Sequence, residues 1–323
     1  MTDVLYLSAR DIDDLGMEAG AVRRRVVEVF RAIHAGEVVA PAKQVLDIGP
    51  GHSFQSLAAA WERAGFAACK WLGVAPVAPG SDAPGVDAVI ALNDFETGRL
   101  LALMDGNVIT GLRTAAMSAA AAHYLAAPDS ATLGLIGCGL QARTHLSALR
   151  EVLPGLRTIR AFSRTRASAE SLAQRARADG WGVEVLDDPR EVVAHSDVVV
   201  TTVPMTAGLE PFLDPRWLRP GAFVSAVDIA RSWAPEGLRE LDLVVTDSHE
   251  QAAKSAPLST DFGPSGSYHA DLSELCGGAK PGRSDGRQRA IFVFRGLGAA
   301  DLAVAGAAYE AARAAGCART LSR

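Results

Sequence analysis

The sequence predicts an α/β protein with a Rossmann-type, doubly wound parallel sheet domain and a second, α+β domain. Three observations predict this class. Apolar runs alternate with helical segments from about residue 132 onward, which is typical of a parallel sheet. A glycine-rich turn, "GLIGCGLQARTH", lies between the first of these runs and a helical pattern. The chain has 323 residues, more than the ~250–300 at which a single core stops growing.

The first region of the chain predicts an antiparallel sheet flanked by helix. Apolar side chains recur at helical spacing over residues 21–35, which predicts an amphipathic helix. Short, partly alternating apolar runs follow at 54–61, 67–73, 86–94 and 98–106. The turn signal "DFETG" joins the last two runs, so we expect them to form a hairpin.

The rest of the chain predicts alternating strands and helices between two helices of small residues. The first of these helices is predicted over 113–127, where we place the domain crossover, and the second over 299–315. The strands between them are predicted at 133–137, 158–163, 183–187, 197–203, 222–228 and 243–247.

Composition narrows the class of function. The net charge is −5 without a basic stripe, which disfavours a nucleic-acid partner. No apolar run reaches the ~18–20 residues of a membrane helix, and the N-terminus does not resemble a signal peptide. The four cysteines are scattered without metal-ligand spacing. We expect a cytoplasmic protein with reduced thiols, no metal and no membrane partner.

The glycine turn predicts a dinucleotide site. A strand precedes it and a helix follows it, which is the context that gives such a pattern its meaning. Gly137 permits the tight turn, Gly139 lets a pyrophosphate approach the backbone, and Ala142 keeps the helix close to the sheet. Free N–H groups at the helix N-terminus attract the phosphates. The alternative is a tight turn without a ligand.

The end of the second strand favours NADP over NAD. An NAD site has an acidic residue there for the adenosine ribose. Here the strand ends in Ser163, Arg164 and Thr165, which suit a 2′-phosphate. The alternative is a solvated loop in an enzyme that takes either cofactor. We predict that further cofactor contacts come from Thr114, Leu140, Gln141, Thr201, Thr202 and Val203.

Three stretches of the sequence resemble the ornithine cyclodeaminase/mu-crystallin family. They are "GLIGCGLQARTHLSAL", "MDGNVITGLRTAAMSAAAAHYLA" and "GGAKPGRSDGRQRAIFVFRGLGAADLAVAGAAYEAA". The family includes ornithine and lysine cyclodeaminases, alanine dehydrogenases, ketimine reductases and an opine-type dehydrogenase. The resemblance implies that residues 1–113 with 300–323 bind substrate and form a homodimer. It implies that 114–299 form the NAD(P)-binding domain.

Three basic residues are candidates for binding a substrate carboxylate. Arg113 opens the predicted helix at 113–127, and a guanidinium pairs with a carboxylate through two hydrogen bonds. Lys70 interrupts an apolar strand, where burial lowers a lysine pKa and suits proton exchange. The resemblance implies substrate contacts for both, and for Lys43 in a nearby loop. The alternatives are a surface arginine at a helix start, a lysine reaching out from a sheet edge and a solvated loop lysine.

The sequence allows two interpretations of the catalytic acid. The family has an Asp after the fifth strand of its dinucleotide domain, and Asp228 is the nearby carboxylate in this chain. Strict alignment places Ala230 at the family position. On an extended strand this two-residue slip keeps Asp228 on the same face but moves it ~6.5 Å. Either Asp228 serves the reaction, or no acid does and Lys70 acts with water.

Other candidates have mainly structural interpretations. We expect His145 and His123 to be structural, and Asp301 either to cap the last helix or to approach the nicotinamide. Asp247, with His249 and Glu250 close in sequence, does not predict a metal site, because further ligands at suitable spacing are missing.

These observations predict an NADP-preferring oxidoreductase, with NAD possible, that acts on the Cα–N bond of a small amino or imino acid. The reaction would be ketimine reduction or amino-acid oxidation. One alternative is ornithine cyclodeaminase, which converts ornithine to proline and ammonia. Another is a dinucleotide-dependent binding protein of crystallin type without turnover.

Overall fold

The fold is described by a computed structural model covering residues 3–76, 85–204, 208–254 and 268–322. The chain divides into two compact units, Met1–Thr114 with Gly296–Arg323, and Ala115–Arg295. Each unit is built on its own eight-stranded sheet. The predicted α/β class, with a Rossmann-type sheet and a second domain, is confirmed.

The regular elements are named here in chain order. The strands are β1 Val4–Leu7, β2 Val38–Val39, β3 Gln44–Gly49, β4 His52–Trp61, β5 Phe66–Val74, β6 Val86–Asp94, β7 Leu100–Asp105, β8 Thr132–Ile136, β9 Thr158–Phe162, β10 Gly182–Val185, β11 Val198–Thr201, β12 Phe223–Ala226, β13 Leu243–Thr246, β14 Ala270–Asp271, β15 Ala290–Val293 and β16 Arg319–Leu321. The helices are α1 Ala9–Asp14, α2 Ala19–His34, α3 Gly106–Leu125, α4 Leu140–Val152, α5 Arg166–Ala178, α6 Pro189–Ala194, α7 Pro235–Leu238, α8 His249–Ala253, α9 Leu272–Gly277 and α10 Gly298–Ala315.

The first unit is a mainly antiparallel sheet packed on one side by helix. Its strands follow the order β16-β1-β7-β6-β5-β4-β2, with β3 paired to β4. The predicted hairpin is the antiparallel pair β6 and β7. Helix α10 packs against α2, β4 and β5. Alternation therefore turns Lys70 of β5 inward and its neighbour Trp71 outward.

Helix α3 begins earlier than the sequence predicted. It starts at Gly106 instead of residue 113, because the Asp105 carboxylate accepts a hydrogen bond from the Val108 N–H and caps the first turn. Ile109 is fully buried, so packing offsets the low helix propensity of this β-branched stretch. Arg113 consequently lies inside the helix and not at its start.

The second unit is a parallel, doubly wound sheet. Its strand order is β10-β9-β8-β11-β12-β15-β13-β14. The six predicted strands are present, but β14 and β15 were missed. The buried run of β15 is only four residues long and follows a polar segment, so it lacked a recognisable pattern. The chain turns from β8 toward β10 and then returns to β11, which makes the ends of β8 and β11 the switch point where such sheets bind ligands.

Within the described part of the chain, no helix is both long and apolar enough to cross a membrane.

Candidate active site

The glycine turn follows β8 at the switch point of the second unit. Gly137 has φ of 92°, and a Cβ there would lie 2.7 Å from Thr202 Oγ1 and 2.9 Å from its carbonyl oxygen. Only glycine fits both the backbone conformation and the space. The Thr202 N–H donates to the Ile136 carbonyl, so the loops after β8 and β11 are tied together.

Gly139 differs from Gly137 in having open space beside it. It is the N-cap of α4, and no atom lies within 4 Å of where its Cβ would be. Ala142, one turn into the helix, is fully buried. A ligand can therefore approach the backbone at Gly139 and the free N–H groups of the first turn, which include Leu140 and Gln141. This arrangement fits a pyrophosphate.

The end of β9 presents polar groups to solvent. Arg164 and Thr165 are exposed and Ser163 is half-buried. Thr165 is the N-cap of α5. Arg166 donates to both carboxylate oxygens of Asp187, at 2.7 and 2.8 Å. Arg164 has no carboxylate partner among the described residues, so its guanidinium is available to an added anion.

In the first unit, Lys70 is buried in a cluster of charged groups. Its side chain is only 1% exposed, which excludes a lysine reaching out to solvent. Lys70 Nζ donates to Asp301 Oδ1 at 2.8 Å and to Thr110 Oγ1 at 3.3 Å. Burial, Arg113 and half-buried Lys43 lower the Lys70 pKa while Asp301 raises it, and the result is about 8. Lys70 can therefore exchange a proton near neutral pH.

Arg113 shares the same carboxylate oxygen. Arg113 Nε donates to Asp301 Oδ1 at 3.0 Å, and the residue is buried, which excludes the surface alternative. Gly296 makes room for the guanidinium, because a Cβ there would lie 2.8 Å from Arg113 Nη2. Thr114, the next residue of α3, is also buried. The first unit thus joins Lys70, Arg113 and Asp301 in one buried cluster.

Asp301 was not recognised from the sequence as the centre of this cluster. It lies in the first turn of α10, whose N-cap Leu297 makes no side-chain cap. Asp301 Oδ2 is buried without a partner among the described residues. In the sequence, Asp301 stands out as the single acidic residue in the apolar first half of this helix. A helix-capping role explained that position equally well.

Asp228 forms its contacts in the second unit. Its Oδ1 accepts from the Thr201 hydroxyl at 2.7 Å and its Oδ2 from the Ser232 hydroxyl at 2.6 Å. The residue is 8% exposed, and burial raises its pKa, with the hydroxyl groups acting in the opposite direction. Val203, in the loop that follows Thr201 at the end of β11, adds a backbone hydrogen bond to this carboxyl.

The extended geometry expected around Asp228 is wrong. Strand β12 ends at Ala226, and the chain then turns, with Ile229 and Ala230 in left-handed conformations at φ of 61° and 56°. A two-residue slip here changes the direction of a side chain as well as its position. Asp228 and residue 230 therefore do not follow the alternation of an extended strand.

The remaining candidates have structural surroundings. His145 is fully buried, its Nδ1 lies 2.6 Å from the Gln141 carbonyl oxygen and its Nε2 2.8 Å from Ser118 Oγ. Burial lowers the His145 pKa to about 4. His123 is exposed and contacts the Tyr124 ring edge-on. His249 and Glu274 form one hydrogen bond, and Glu274 completes the capping box of α9.

Comparisons with known proteins place the chain among amino-acid and imino-acid enzymes. The family model described as "Ornithine cyclodeaminase/mu-crystallin family" matches residues 6–316. Alanine dehydrogenase of Archaeoglobus fulgidus is 31% identical over 95% of both chains. Ketimine reductase mu-crystallin of Rattus norvegicus is 36% identical over 70% of both.

A solved structure has the same fold along almost the whole chain. It is Δ1-pyrroline-2-carboxylate reductase of Thermococcus litoralis in complex with NADH and L-proline. The TM-score is 0.91 at 28% identity, covering 98% of this chain and 100% of the other. An archaeal alanine dehydrogenase dimer with bound NAD gives a TM-score of 0.86 at 28% identity, with 99% of both chains covered. This chain belongs to the ornithine cyclodeaminase/mu-crystallin family.

Proposed function

We propose that this chain is an NAD(P)-dependent oxidoreductase that acts on the Cα–N bond of a small amino or imino acid. The observation that carries the proposal is the buried cluster of Lys70, Arg113 and Asp301 in the first unit. It accompanies a glycine turn in the second unit that fits a dinucleotide. The named relatives act on alanine, ketimines and pyrroline-2-carboxylate, which all combine a carboxylate with a nitrogen on the adjacent carbon.

The cluster suits a substrate carboxylate. It contains two basic side chains and one acidic side chain, and Lys43 is close enough to lower the Lys70 pKa. Lys70 and Arg113 share a single oxygen of Asp301, and an ammonium and a guanidinium are the side-chain groups that bind carboxylates. We propose that Arg113 and Lys43 bind the substrate carboxylate and that Lys70 contacts it and carries a proton.

We propose that the glycine turn, Thr201, Thr202 and Val203 bind the dinucleotide, with Thr114 as a further contact. The nicotinamide, when bound, supplies or accepts hydride at the substrate carbon. NADP is the favoured nucleotide because Arg164, with Ser163 and Thr165, offers a basic group and two hydroxyls where an NAD site has a carboxylate. The relatives with bound nucleotide carry NADH and NAD.

The contacts of Asp228 favour a reductase or dehydrogenase over a cyclodeaminase. Both of its oxygens already accept hydrogen bonds from the second unit's own hydroxyls. We therefore propose that Asp228 holds the loop after β11 and that Lys70 is the side chain that moves the proton. A cyclodeaminase must manage protons at two nitrogens, which a single lysine serves poorly.

We propose a homodimer formed through the outer face of the first sheet. Four apolar side chains on adjacent strands, Leu46, Phe54, Trp71 and Val89, share this face and are each at least 40% exposed. The Phe54 and Trp71 rings stack at 5.9 Å. Contiguous exposed apolar surface is typical of an interface.

None of the four cysteines forms a disulfide in the described chain, which supports a reducing, cytoplasmic setting.

A substrate screen tests the proposed function. Purified protein would be mixed with NADPH or NADH and with Δ1-pyrroline-2-carboxylate, Δ1-piperideine-2-carboxylate, or pyruvate with ammonia, and the loss of reduced nucleotide followed by absorbance. We expect turnover with at least one of these imines. Nucleotide binding without turnover in either direction would support the crystallin-type alternative. Ammonia release from ornithine without net change in NADP(H) would identify a cyclodeaminase.

A further inference from the structure

Asp301 lies between the two basic groups of the cluster. One oxygen, Oδ1, accepts from both Lys70 Nζ and Arg113 Nε, at 2.8 and 3.0 Å. Asp301 is 1% exposed. It is held on α10, whereas Lys70 is on β5 and Arg113 on α3, so three separate elements bring the charges together.

Stability alone does not explain this carboxylate. A buried ion pair gains little over apolar side chains of similar volume, because removing both charges from water is costly. Asp301 also leaves Oδ2 buried without a partner among the described residues, which adds a further cost. Helix α10 is otherwise lined with small apolar residues, so the packing of this helix does not itself require a carboxylate, and Asp301 is needed only in company with Lys70 and Arg113.

We propose that Asp301 is a positioning residue that orients Lys70 and keeps its amine protonated for the reaction. This inference rests on the proposed function. In the reducing direction, the substrate nitrogen holds the former C=N π electron pair once its carbon has taken up hydride. That pair forms a bond to a proton from Lys70 Nζ, the Lys70 N–H bond breaks, and the neutral amine regains a proton from water. Asp301 acts through Lys70 and does not react.

The charges around Lys70 determine the direction in which its pKa should change when Asp301 is neutralised. Arg113 from α3 and Lys43 from the loop before β3 disfavour a protonated Lys70, as does burial, and Asp301 opposes them. Removing the Asp301 charge leaves burial, Arg113 and Lys43, which all disfavour the protonated amine, opposed by the hydrogen bond to the Thr110 hydroxyl. An opposite charge at this range shifts a pKa by about 1–3 units. The Asp301→Asn variant should therefore lose the proton of Lys70 at a pH about 1–3 units below that of the parent.

Binding of a carboxylate probe measures this shift without turnover. The probe is pyrrole-2-carboxylate, and its Kd would be measured by calorimetry across neutral and alkaline pH. Binding to the parent should weaken as the pH rises past about 8, where Lys70 loses its charge. In Asp301→Asn the binding of the probe should begin to weaken at a pH at least about one unit lower than in the parent. Asp301→Glu, which restores the charge, should move the midpoint back toward that of the parent.

A matched control separates this effect from the loss of any buried carboxylate. Asp247 is 2% exposed in the second unit and accepts a hydrogen bond from the Arg295 N–H. The Asp247→Asn variant also neutralises a buried aspartate, but one that belongs to the second unit, whereas Lys70 and Asp301 belong to the first. Its pH profile for probe binding should coincide with that of the parent.

The pH dependence of unfolding gives a readout that needs no ligand. The Lys70 pKa is about 8 in the folded protein and about 10.4 in an unfolded chain. The unfolded state therefore binds more protons between these values, and stability rises with pH in that window. Lys70→Met should lack this rise in guanidinium titrations. In Asp301→Asn the rise should begin at a lower pH than in the parent.

The outcomes distinguish the inference from the function on which it rests. Unshifted profiles for Asp301→Asn in both measurements would overturn the positioning role, even in an enzyme that reduces imines. A shifted unfolding profile in a protein without turnover would overturn the proposed function and leave the coupling of Asp301 to Lys70 intact. If Asp301→Asn does not fold, Asp301→Ser provides a second neutral variant. Failure of both to fold would show that Asp301 is purely structural.

Discussion

Arg113 shows how much a single side chain depends on its surroundings. Its guanidinium is buried in the interior of α3, shares Asp301 with Lys70, and has room only because residue 296 is glycine. A planar fork of donors held in this way is suited to a carboxylate. Its value to the enzyme therefore depends on geometry as well as on charge.

We expect Arg113→Lys to lower kcat/KM about 10- to 100-fold, because a lysine keeps the charge but loses the second hydrogen bond to the substrate carboxylate. Steady-state kinetics with the best substrate from the screen would measure the loss. The Kd for NADPH should change little. A variant with unimpaired kcat/KM would place Arg113 outside the substrate site.

For Asp228 we expect the opposite of Arg113, because its substitution should affect stability more than activity. Because Thr201 and Ser232 donate to its two oxygens, Asp228→Asn should lower the free energy of unfolding by about 1–3 kcal/mol, the cost of a disturbed buried hydrogen bond. Activity of the folded fraction should fall less than about tenfold. A loss of about 10²–10⁴ without loss of stability, typical of a general acid or base, would restore Asp228 as the catalytic acid.

At the scale of elements, the turn from β8 into α4 separates two requirements for glycine. Gly137 needs a left-handed backbone and faces Thr202 at close range, whereas Gly139 has an ordinary φ of −83° and open space beside it. Gly137 is therefore required by the fold, whereas we propose that Gly139 is required by the ligand.

This difference predicts different effects for an alanine substitution at each glycine. Gly137→Ala should destabilise the second unit by about 1–3 kcal/mol, because the backbone is strained and Thr202 must move. Gly139→Ala should change stability by less than about 0.5 kcal/mol but weaken NADPH binding at least about tenfold, since its methyl occupies space for the pyrophosphate. Denaturation and nucleotide titration would measure both. Tight NADPH binding by Gly139→Ala would place the phosphates elsewhere.

The connection between β9 and α5 determines the expected nucleotide preference. Arg164→Asp should reverse a preference for NADPH into one for NADH, with a change of about tenfold or more in the ratio of Kd values, because it replaces an anion-binding group with a repelling one. The matched control is Arg175→Asp, near the C-terminus of α5. It should leave the ratio of Kd values unchanged. Equal affinity of the parent for both nucleotides would contradict the argument.

At the scale of the whole molecule, we propose that assembly depends on the uncovered face of the first sheet. Leu46 on β3 is 53% exposed and lies directly across from Phe54. Leu46→Asp should convert a dimer into a monomer in light scattering, since it places a charge within the apolar contact. Phe95→Asp, in the turn between β6 and β7, is a control that should remain dimeric. A parent that is monomeric at micromolar concentration would contradict the proposed homodimer.

The sequence predicted those parts of the fold that have a local pattern. Helix α2, the β6–β7 hairpin and the strand preceding Gly137 all followed from periodicity and turn residues. The start of α3 did not, because an aspartate cap and burial of Ile109 outweighed local propensity. Strand β15 was missed because its four residues become a strand only when β12 and β13 pair on either side.

The candidate site was predictable to a similar extent. Lys70 and Arg113 could be identified because a charge in an apolar strand or a small-residue helix is conspicuous. Their contact through Asp301 joins positions 70, 113 and 301, and no local pattern encodes a contact over that distance. The surroundings of Asp228 depend on the left-handed turn at Ile229 and Ala230, a conformation that these residue types rarely adopt and the sequence does not signal.

The position of β15 also governs the order in which the second unit is completed during synthesis. Strands β12 and β13 emerge from the ribosome well before residues 290–293, yet they do not pair with each other, because β15 occupies the place between them. Until that strand is made, each presents an open parallel edge of the kind that attracts other chains. The nascent chain therefore carries a gap in the middle of its sheet, and closing that gap is a late, long-range step of the slow class.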